Sequence, residues 1–474
     1  MPELPPIRKE EVLESLKTLL SKDTDPHSGR LWSYVYETGI HELRGLAEEA
    51  YMLSLWRNML DPTVFPSVLE LEKSVVDFVA RLFEAPGTTV GNFTSGGTES
   101  NFMAVLAARE RFYSRMGKSS VPKLIAPATV HPSVIKAAWI LGVKPVLTSV
   151  DYEYRADVEK LVEKIDEDTA LVVLSSPNYP FGTFDPVREV AESLEEKRVW
   201  LHVDSCLGFA IPFARMNGYD IPLQGLNIDR VDSMSVDLHK LGYAPRGSST
   251  LLYRDRERRK NAFFVYSKWP GYPLVNQIFL SSRTPGPLAA SWSLINALGV
   301  DGYKKLAQYT FTAREKLIEA MAKHGFKVEG NPPYVVLAFS HEELDLVDFS
   351  KKAGEKHWHI QVQPGSKKLG YPMTVHFTVT PVHINVVDEF AQDLEEIVGN
   401  TRKLSELGED PMLEALKTVS PSDVSNAAPL IMQLLGGSGG GLEGADLSFI
   451  SRYIYELDPE VVEALFREVS NALL

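Results

Sequence analysis

Cysteine is almost absent from this chain of 474 residues, in which Cys206 is the only one. A single cysteine excludes an intrachain disulfide and every zinc-finger spacing, and it fits the reducing cytoplasm. No apolar run reaches the roughly 18 residues that span a bilayer, and the first residues lack the apolar stretch of a signal peptide. We therefore expect a cytoplasmic protein with no membrane span.

The chain has fewer basic than acidic residues: it contains 49 lysines and arginines and 63 aspartates and glutamates, so the formal net charge is -14. This excludes the basic surface that non-specific nucleic-acid binding requires, so we expect no nucleic-acid partner. A small anionic ligand stays compatible, because a pocket can be locally positive. The hydrophobic content of 44% is that of an ordinary globular protein, and the length predicts two or three structural units.

Short apolar segments alternate with amphipathic ones from about residue 85 to residue 255. The pattern predicts strands at 123–126, 144–148, 170–175, 199–203 and 250–253, with a helix before each of the first four. Strands of this kind between helices are typical of a parallel sheet that is covered on both faces. The sequence therefore predicts an α/β fold with a mostly parallel sheet in its large domain.

The pattern changes near residue 300. Predicted strands at 334–339, 357–363 and 373–380 lie among helices there, which favours a smaller α+β domain. We divide the chain into an N-terminal arm (1–60), a large domain (61–300) and a small C-terminal domain (301–474) that ends in a helix at about 458–473. The run GGSGGG at 436–441 has the composition of a flexible joint.

A glycine pair stands at the start of a predicted helix, in the segment Thr94–Ser100. Gly96 and Gly97 let backbone N–H groups approach a ligand, and the helix directs its positive end at the same place, which makes a site for an anion. The alternative is a glycine turn in which Thr98 caps the helix. The segment alone leaves these two interpretations open.

Asp204 ends the apolar strand Trp200–Val203, at the edge of the sheet where ligands of α/β proteins bind. Such a carboxylate can pair with a protonated ring nitrogen, although it can also cap the helix that follows. Farther along the chain, Lys240 follows His239 and offers an amine for a Schiff base. An anion cradle, a carboxylate and a lysine in this order predict a site for pyridoxal 5'-phosphate, which acts as an electron sink.

Histidines are the remaining candidates for chemistry. His131 begins a predicted helix and could stack on the cofactor ring and act near the reacting carbon, although a histidine in the core or at a helix cap is the alternative. The other histidines show no ligand spacing for a metal, so we expect no metal site.

Four segments carry a resemblance to a known family: NFTSGGTES (92–100), HVDSCLG (202–208), DLHKLGYAPRGSS (237–249) and SSRTPG (281–286). The chain resembles the group II pyridoxal-phosphate-dependent decarboxylase superfamily, and within it the sphingosine-1-phosphate lyase-like branch most closely. The resemblance implies the PLP-dependent transferase-like fold of type I and a homodimer with shared active sites at the subunit interface.

The resemblance also implies roles for individual residues. Lys240 looks like the Schiff-base lysine, Asp204 like the partner of the pyridine nitrogen, and His131 like the stacking histidine. Gly97, Thr98 and His239 look like contacts of the cofactor phosphate, and Ser282 looks like a further phosphate contact that comes from the partner subunit. Tyr179 and Tyr36 look like two tyrosines that lie near the substrate.

Two positions depart from the lyase pattern. Asp61 stands in NMLDPTVFP where the lyases have a histidine that helps to bind the substrate phosphate, and Arg246 stands where they have a lysine. Two like charges about 4 Å apart cost on the order of several kcal/mol at an effective dielectric constant near 20, so Asp61 suits an amine or a hydroxyl better than a phosphate. Arg246 keeps the positive charge and favours a bidentate grip on an anion.

These departures direct our functional expectation. We expect an enzyme that acts on a small amine or amino acid, with decarboxylation of an amino acid as its reaction. The alternative is an aldehyde lyase that cleaves the Cα–Cβ bond of an amino alcohol or its phosphate, which needs a base for the β-hydroxyl, such as Tyr179. Transamination is a third and weaker alternative.

Overall fold

The computed structural model describes residues 8–424 and 450–473. The predicted joint at 436–441 lies outside the described residues. A seven-stranded sheet forms the centre of the large unit, in the order β1-β7-β6-β5-β4-β2-β3. Its strands are β1 (Val90–Thr94), β2 (Lys123–Pro127), β3 (Lys144–Thr148), β4 (Thr169–Ser175), β5 (Trp200–Asp204), β6 (Ser233–Asp237) and β7 (Ser249–Tyr253).

The strands from β2 to β6 pair in parallel, whereas β7 runs antiparallel to both of its neighbours, β1 and β6. The predicted mostly parallel sheet is therefore confirmed, and the edge strand β1 and the inner strand β6 were missing from the prediction. Along β4, Leu171 and Val173 face one apolar cluster while Val172 and Leu174 face another. Because side chains alternate along a strand, both faces of the sheet are covered.

Helices form the two covering layers and the C-terminal part. They are α1 (Lys9–Leu20), α2 (His41–Ser54), α3 (Ser67–Leu82), α4 (Gly97–Met116), α5 (Pro132–Leu141), α6 (Val158–Glu163), α7 (Val187–Ser193), α8 (Ile211–Met216), α9 (Arg256–Arg259), α10 (Gly286–Lys323), α11 (Leu346–Glu355), α12 (Val387–Asn400), α13 (Pro411–Lys417), α14 (Ile450–Glu456) and α15 (Pro459–Leu473). Helices α4 and α5 cover one face of the large sheet, and α3, α8 and α10 pack together over the other. None of the helices in the two described ranges has the length and apolar character to cross a membrane.

The long helix α10 runs through the predicted domain boundary at 300/301. A bend at Gly299, whose φ is +55°, interrupts it, and the chain then continues helical to Lys323. Glycine adopts this φ without strain, so the helix bends there and continues. One continuous helix therefore joins the large and small units. The boundaries of the three domains stay a prediction.

The small unit is built on a second, antiparallel sheet. It has the order β10-β11-β13-β12, with the strands β10 (Lys327–Val328), β11 (Val336–Ser340), β12 (Gln361–Gln363) and β13 (Thr374–Thr378), and a separate hairpin, β8 (Phe264–Tyr266) and β9 (Leu274–Asn276), projects from the large unit. The predicted strand 357–363 is wrong in its first half. His357 has a φ of +65° and Trp358 N–H bonds back to the Ala353 carbonyl, so these residues end α11 in a turn.

Candidate active site

The carboxyl ends of the parallel strands open onto a cavity of about 420 Å³. Strands β4, β5 and β6 end side by side, with Ser175 level with Asp204 and Asp204 level with Ser235. Ligands of open α/β sheets bind at this edge. Eight predicted site residues line the cavity: Gly97, Thr98, His131, Tyr179, Asp204, His239, Lys240 and Arg246.

The turn after β1 exposes backbone atoms to the cavity at Gly96 and Gly97, which have no side chains. A Cβ atom on Gly97 would lie 2.6 Å from Cys206 Sγ and 2.8 Å from Asp237 Oδ2, so no side chain fits there. Gly96 has a φ of +147° and is the N-cap of α4, which places Thr98 inside the first turn. The alternative interpretation of Thr98 as the cap is therefore wrong. The first N–H groups of the 20-residue helix lack acceptors within the helix and can bind an anion.

The Asp204 carboxylate is buried and held by hydrogen bonds. Asn101 Nδ2 donates to Oδ2 at 2.8 Å, and the Cys206 N–H donates to Oδ1 at 3.0 Å. Burial alone would raise the pKa of Asp204, but nearby His131 and the Cys206 hydrogen bonds hold this pKa below its usual value. Asp204 is therefore ionised at neutral pH, which suits a partner for a protonated ring nitrogen.

Lys240 forms an ion pair within its own motif. Its Nζ lies 3.0 Å from Oδ2 of Asp237, whose side chain is only 1% exposed, and His239 Nε2 lies 3.5 Å from the same oxygen. Burial alone would lower the pKa of Lys240, because it disfavours the charged form of the amine. The negative charge of Asp237 outweighs this effect and raises the pKa of Lys240 above its ordinary value.

His131 lies at the N-terminus of α5, on the wall of the cavity. Its Nδ1 accepts a hydrogen bond from the Ser133 N–H at 3.2 Å and lies 2.8 Å from Ser133 Oγ. The side chain therefore caps α5, as the alternative interpretation proposed. The cap also fixes the ring beside the cavity, where its centroid lies 6.5 Å from that of Tyr179, so capping and a contact with a bound ring are compatible.

Arg246 and Tyr36 lie where the site joins a second cavity of about 310 Å³. The guanidinium carbon of Arg246 lies 5.3 Å from the centroid of the Tyr36 ring. Arg246 also donates to the carbonyl of His239 at 3.0 Å and to the carbonyl of Tyr34. The N-terminal segment is thus fastened to the lysine motif, and the substrate roles of Arg246 and Tyr36 stay predictions.

Ser282 and Asp61 lie outside both cavities in the single chain. Ser282 is exposed, and its Oγ accepts a bond of 3.4 Å from Asn58 Nδ2. Asp61 Oδ1 accepts from the Thr63 N–H at 2.9 Å and from Thr63 Oγ1 at 2.6 Å, and these bonds lower the pKa of Asp61. The expected contact of Ser282 across a subunit interface and the substrate role of Asp61 stay predictions.

The residues of the main cavity fit pyridoxal phosphate. The cradle at Gly97, which has no space for a Cβ, would hold the phosphate together with Thr98 and His239, Asp204 would meet the ring nitrogen, and Lys240 would supply the amine. Within the two described ranges, no group of three or more His, Cys, Asp or Glu side chains is placed to hold a metal ion.

Several residues of the site were not predicted. Asn101 lies one helical turn after Gly97, and that spacing could have indicated it, because residues four apart share a helix face. Asp237 ends β6, three residues before Lys240 in the same motif. Gln361, whose Oε1 accepts the phenol hydrogen of Tyr179 at 2.8 Å, comes from the small sheet. No local pattern in the sequence indicates that contact.

Comparisons with known proteins agree with this geometry. The family model described as the pyridoxal-dependent decarboxylase conserved domain matches residues 8–341. A sphingosine-1-phosphate lyase of Dictyostelium discoideum is 34% identical over 396 residues, which are 83% of this chain and 73% of the relative. A probable L-tyrosine/L-aspartate decarboxylase of Methanothermobacter thermautotrophicus is 31% identical over 353 residues, which are 74% of this chain and 94% of the relative.

Among solved structures, a sphingosine-1-phosphate lyase of Burkholderia pseudomallei superposes with a TM-score of 0.78 at 30% identity, covering 85% of this chain and 93% of that one. This likeness confirms the predicted α/β fold of type I.

Proposed function

Because this chain belongs to the pyridoxal-dependent decarboxylase family and is a pyridoxal-phosphate-dependent lyase, we propose that it cleaves the Cα–Cβ bond of a phosphorylated long-chain amino alcohol and releases an aldehyde. This reaction is the alternative to decarboxylation that the sequence leaves open. The observation that carries it is that the sequence and structure comparisons both include lyases of this kind at 30% identity or more over at least 83% of the chain.

Three residues of the cavity, Lys240, Asp204 and Tyr179, have tasks in this reaction. Bound pyridoxal phosphate supplies the sink for the electrons of the bond that breaks. Lys240 holds the cofactor through its amine, and the ionised Asp204 keeps a proton on the ring nitrogen. Burial raises the pKa of Tyr179, so its phenol carries its proton at neutral pH and can hydrogen-bond to the β-hydroxyl. The β-hydroxyl must lose its proton when the aldehyde forms, and Tyr179 as its base stays a prediction.

Decarboxylation of an amino acid is the second candidate. Two observations favour it: the relative in Methanothermobacter with a decarboxylase name, and Asp61, whose lowered pKa keeps it negative at the position where the lyases have a histidine. A carboxylate there would repel a substrate phosphate if Asp61 reaches the site of a partner subunit.

The products distinguish the two candidates. We expect the holoenzyme, incubated with a pool of amino acids and of long-chain amino alcohols with and without phosphate, to release a long-chain aldehyde and ethanolamine phosphate, detected by mass spectrometry. The Lys240→Ala variant is the matched control and should release neither. Carbon dioxide and an amine formed from an amino acid would replace this proposal with the second candidate.

We also propose that the protein is a homodimer with shared active sites. Apolar side chains that are more than half exposed gather on the β8–β9 hairpin and on the segment that leads to Ser282; they are Phe264, Val265, Tyr272, Val275 and Phe279. Exposed apolar patches of this kind mark protein interfaces. A second copy of the chain that covers this face would bury Ser282 as well, in line with its expected contact with the partner's cofactor site.

Mixing two impaired variants tests the shared site. If Ser282 serves the cavity of its partner, then mixed dimers of Lys240→Ala and Ser282→Ala subunits contain one intact site, and we expect about a quarter of wild-type activity after subunit exchange. The matched control mixes Lys240→Ala with Asp204→Asn, which lie in one cavity of one chain, and should recover no activity. Equal recovery in both mixtures, or none in either after proven exchange, would contradict the shared site.

A further inference from the structure

Two side chains on neighbouring strands of the small sheet hold Tyr179. Gln361 on β12 and His376 on β13 lie level with each other in the register of the sheet. Gln361 Oε1 accepts the Tyr179 hydroxyl hydrogen at 2.8 Å, and His376 Nε2–H donates to the Tyr179 carbonyl at 2.9 Å. The phenol and the imidazole also pack together, with ring centroids 4.4 Å apart.

This arrangement fixes the direction of the Tyr179 hydrogen bond. A neutral phenol has a single hydrogen to donate, and that hydrogen points at Gln361. His376 is buried, and burial lowers its pKa to about 4, so the ring is neutral and keeps its one proton on Nε2 for the Tyr179 carbonyl. Both the side chain and the backbone of Tyr179 are therefore held, and the phenol oxygen offers only lone pairs to the cavity.

We propose that Gln361 is a specificity-determining residue that makes Tyr179 a hydrogen-bond acceptor for a substrate hydroxyl and so favours β-hydroxy amines over amino acids. A hydroxyl can donate to the phenol oxygen, whereas an ionised carboxylate has no hydrogen to donate and meets a lone pair instead. Gln361 acts through Tyr179 and is a positioning residue. This inference rests on the proposed function, because it assigns Tyr179 to the hydroxyl beside the bond that breaks.

Binding of three small amines to the holoenzyme tests the proposal without any bond cleavage being measured. The probes are 2-aminopropan-1-ol, alanine and isopropylamine, which carry a hydroxymethyl, a carboxylate and a methyl group on the same carbon. Their dissociation constants are measured from the change in cofactor absorbance. We expect the wild type to bind the alcohol roughly tenfold more tightly than isopropylamine, as one additional hydrogen bond allows, and to bind alanine more weakly than the alcohol.

Variants of Tyr179 and Gln361 then distinguish an effect on the direction of the Tyr179 hydrogen bond from a general effect on the structure of the site. Tyr179→Phe should remove the preference for the alcohol. Gln361→Leu frees the phenol hydrogen and should shift the ratio of the alcohol and alanine constants toward alanine by about tenfold, while Gln361→Glu keeps an acceptor and should retain the wild-type ratio. Gln363→Leu is the matched control, because Gln363 lies on the same strand and contacts Thr374 instead of Tyr179. In the Tyr179→Phe background, Gln361→Leu should have no further effect.

Three results would overturn the proposal: no preference for the alcohol in the wild type, a wild-type ratio in Gln361→Leu, or the same shift in Gln363→Leu. The release of products decides the proposed function separately. An enzyme that forms carbon dioxide from amino acids but still shows the Gln361-dependent preference would contradict the proposed cleavage to an aldehyde, whereas the assignment of Tyr179 as a hydrogen-bond acceptor would stand.

Discussion

Lys240→Ala is expected to lose covalently attached pyridoxal phosphate and to lose turnover by roughly a thousandfold or more, the scale seen when the central group of an active site is removed. The reason is that Lys240 supplies the amine in the cavity, beside the Gly97 cradle and Asp204. Borohydride reduction followed by mass spectrometry is the measurement, because it fixes the cofactor to the wild-type chain only. Lys136→Ala, which removes an exposed lysine of α5, is the matched control and should keep both properties.

A second variant distinguishes loss of the Lys240 amine from misfolding of the protein. Lys240→Ala leaves the buried Asp237 without the cation that lies 3.0 Å away, and an unpaired buried charge destabilises a protein. Lys240→Arg keeps the positive charge, but a guanidinium stays protonated and cannot replace the amine. We expect Lys240→Arg to melt closer to the wild type and still to lack reducible cofactor. Reducible cofactor in either variant would contradict the assignment of Lys240.

Asp204→Asn is expected to lower kcat by about two to three orders of magnitude, or about 3–4 kcal/mol of transition-state stabilisation. The variant keeps the shape of the side chain and removes the charge that would hold a proton on the ring nitrogen. The measurement is steady-state kinetics of the cofactor-saturated enzyme, together with its absorption spectrum.

The network around Asp204 provides the control. Ser235 Oγ lies 3.4 Å from Asp204 Oδ1 and donates to Asn101 Oδ1 at 3.0 Å, so Ser235→Ala removes a hydroxyl from this network and leaves the charge of Asp204 in place. We expect this variant to stay within about fivefold of the wild type, because a bond of 3.4 Å to the carboxylate contributes little. Asp204→Asn with activity within tenfold of the wild type would show that the charge of Asp204 is not needed.

The part of the site that follows from local patterns could be predicted from the sequence. A glycine pair before a helix, an aspartate at the end of an apolar strand and a lysine after a histidine are each visible within a few residues, and the structure brings all three to one cavity. The mostly parallel sheet was predictable for the same reason, because its buried strands are continuous apolar runs.

The unpredicted parts depend on contacts between distant segments. Gln361 and His376 reach Tyr179 only because the small sheet docks against the loop after β4, and neither residue stands in a distinctive pattern. The strand predicted at 357–363 is shorter in the structure because His357 has a positive φ, and sequence patterns do not show this φ. Asp61 and Ser282 illustrate a further limit, because a sequence does not say which subunit a residue serves.

The pairing of β1 with β7 has a consequence for the order in which the protein is made. Strand β7 lies between β1 and β6 in the sheet, so it joins the strand before the glycine turn to the strand before Lys240. A nascent chain that ends before Ser249 contains both motifs but lacks the strand that joins them. Bringing such distant segments together costs loop-closure entropy before their contacts form. We therefore expect a chain that ends before Ser249 to lack the complete cofactor site, which forms only after β7 has been synthesised.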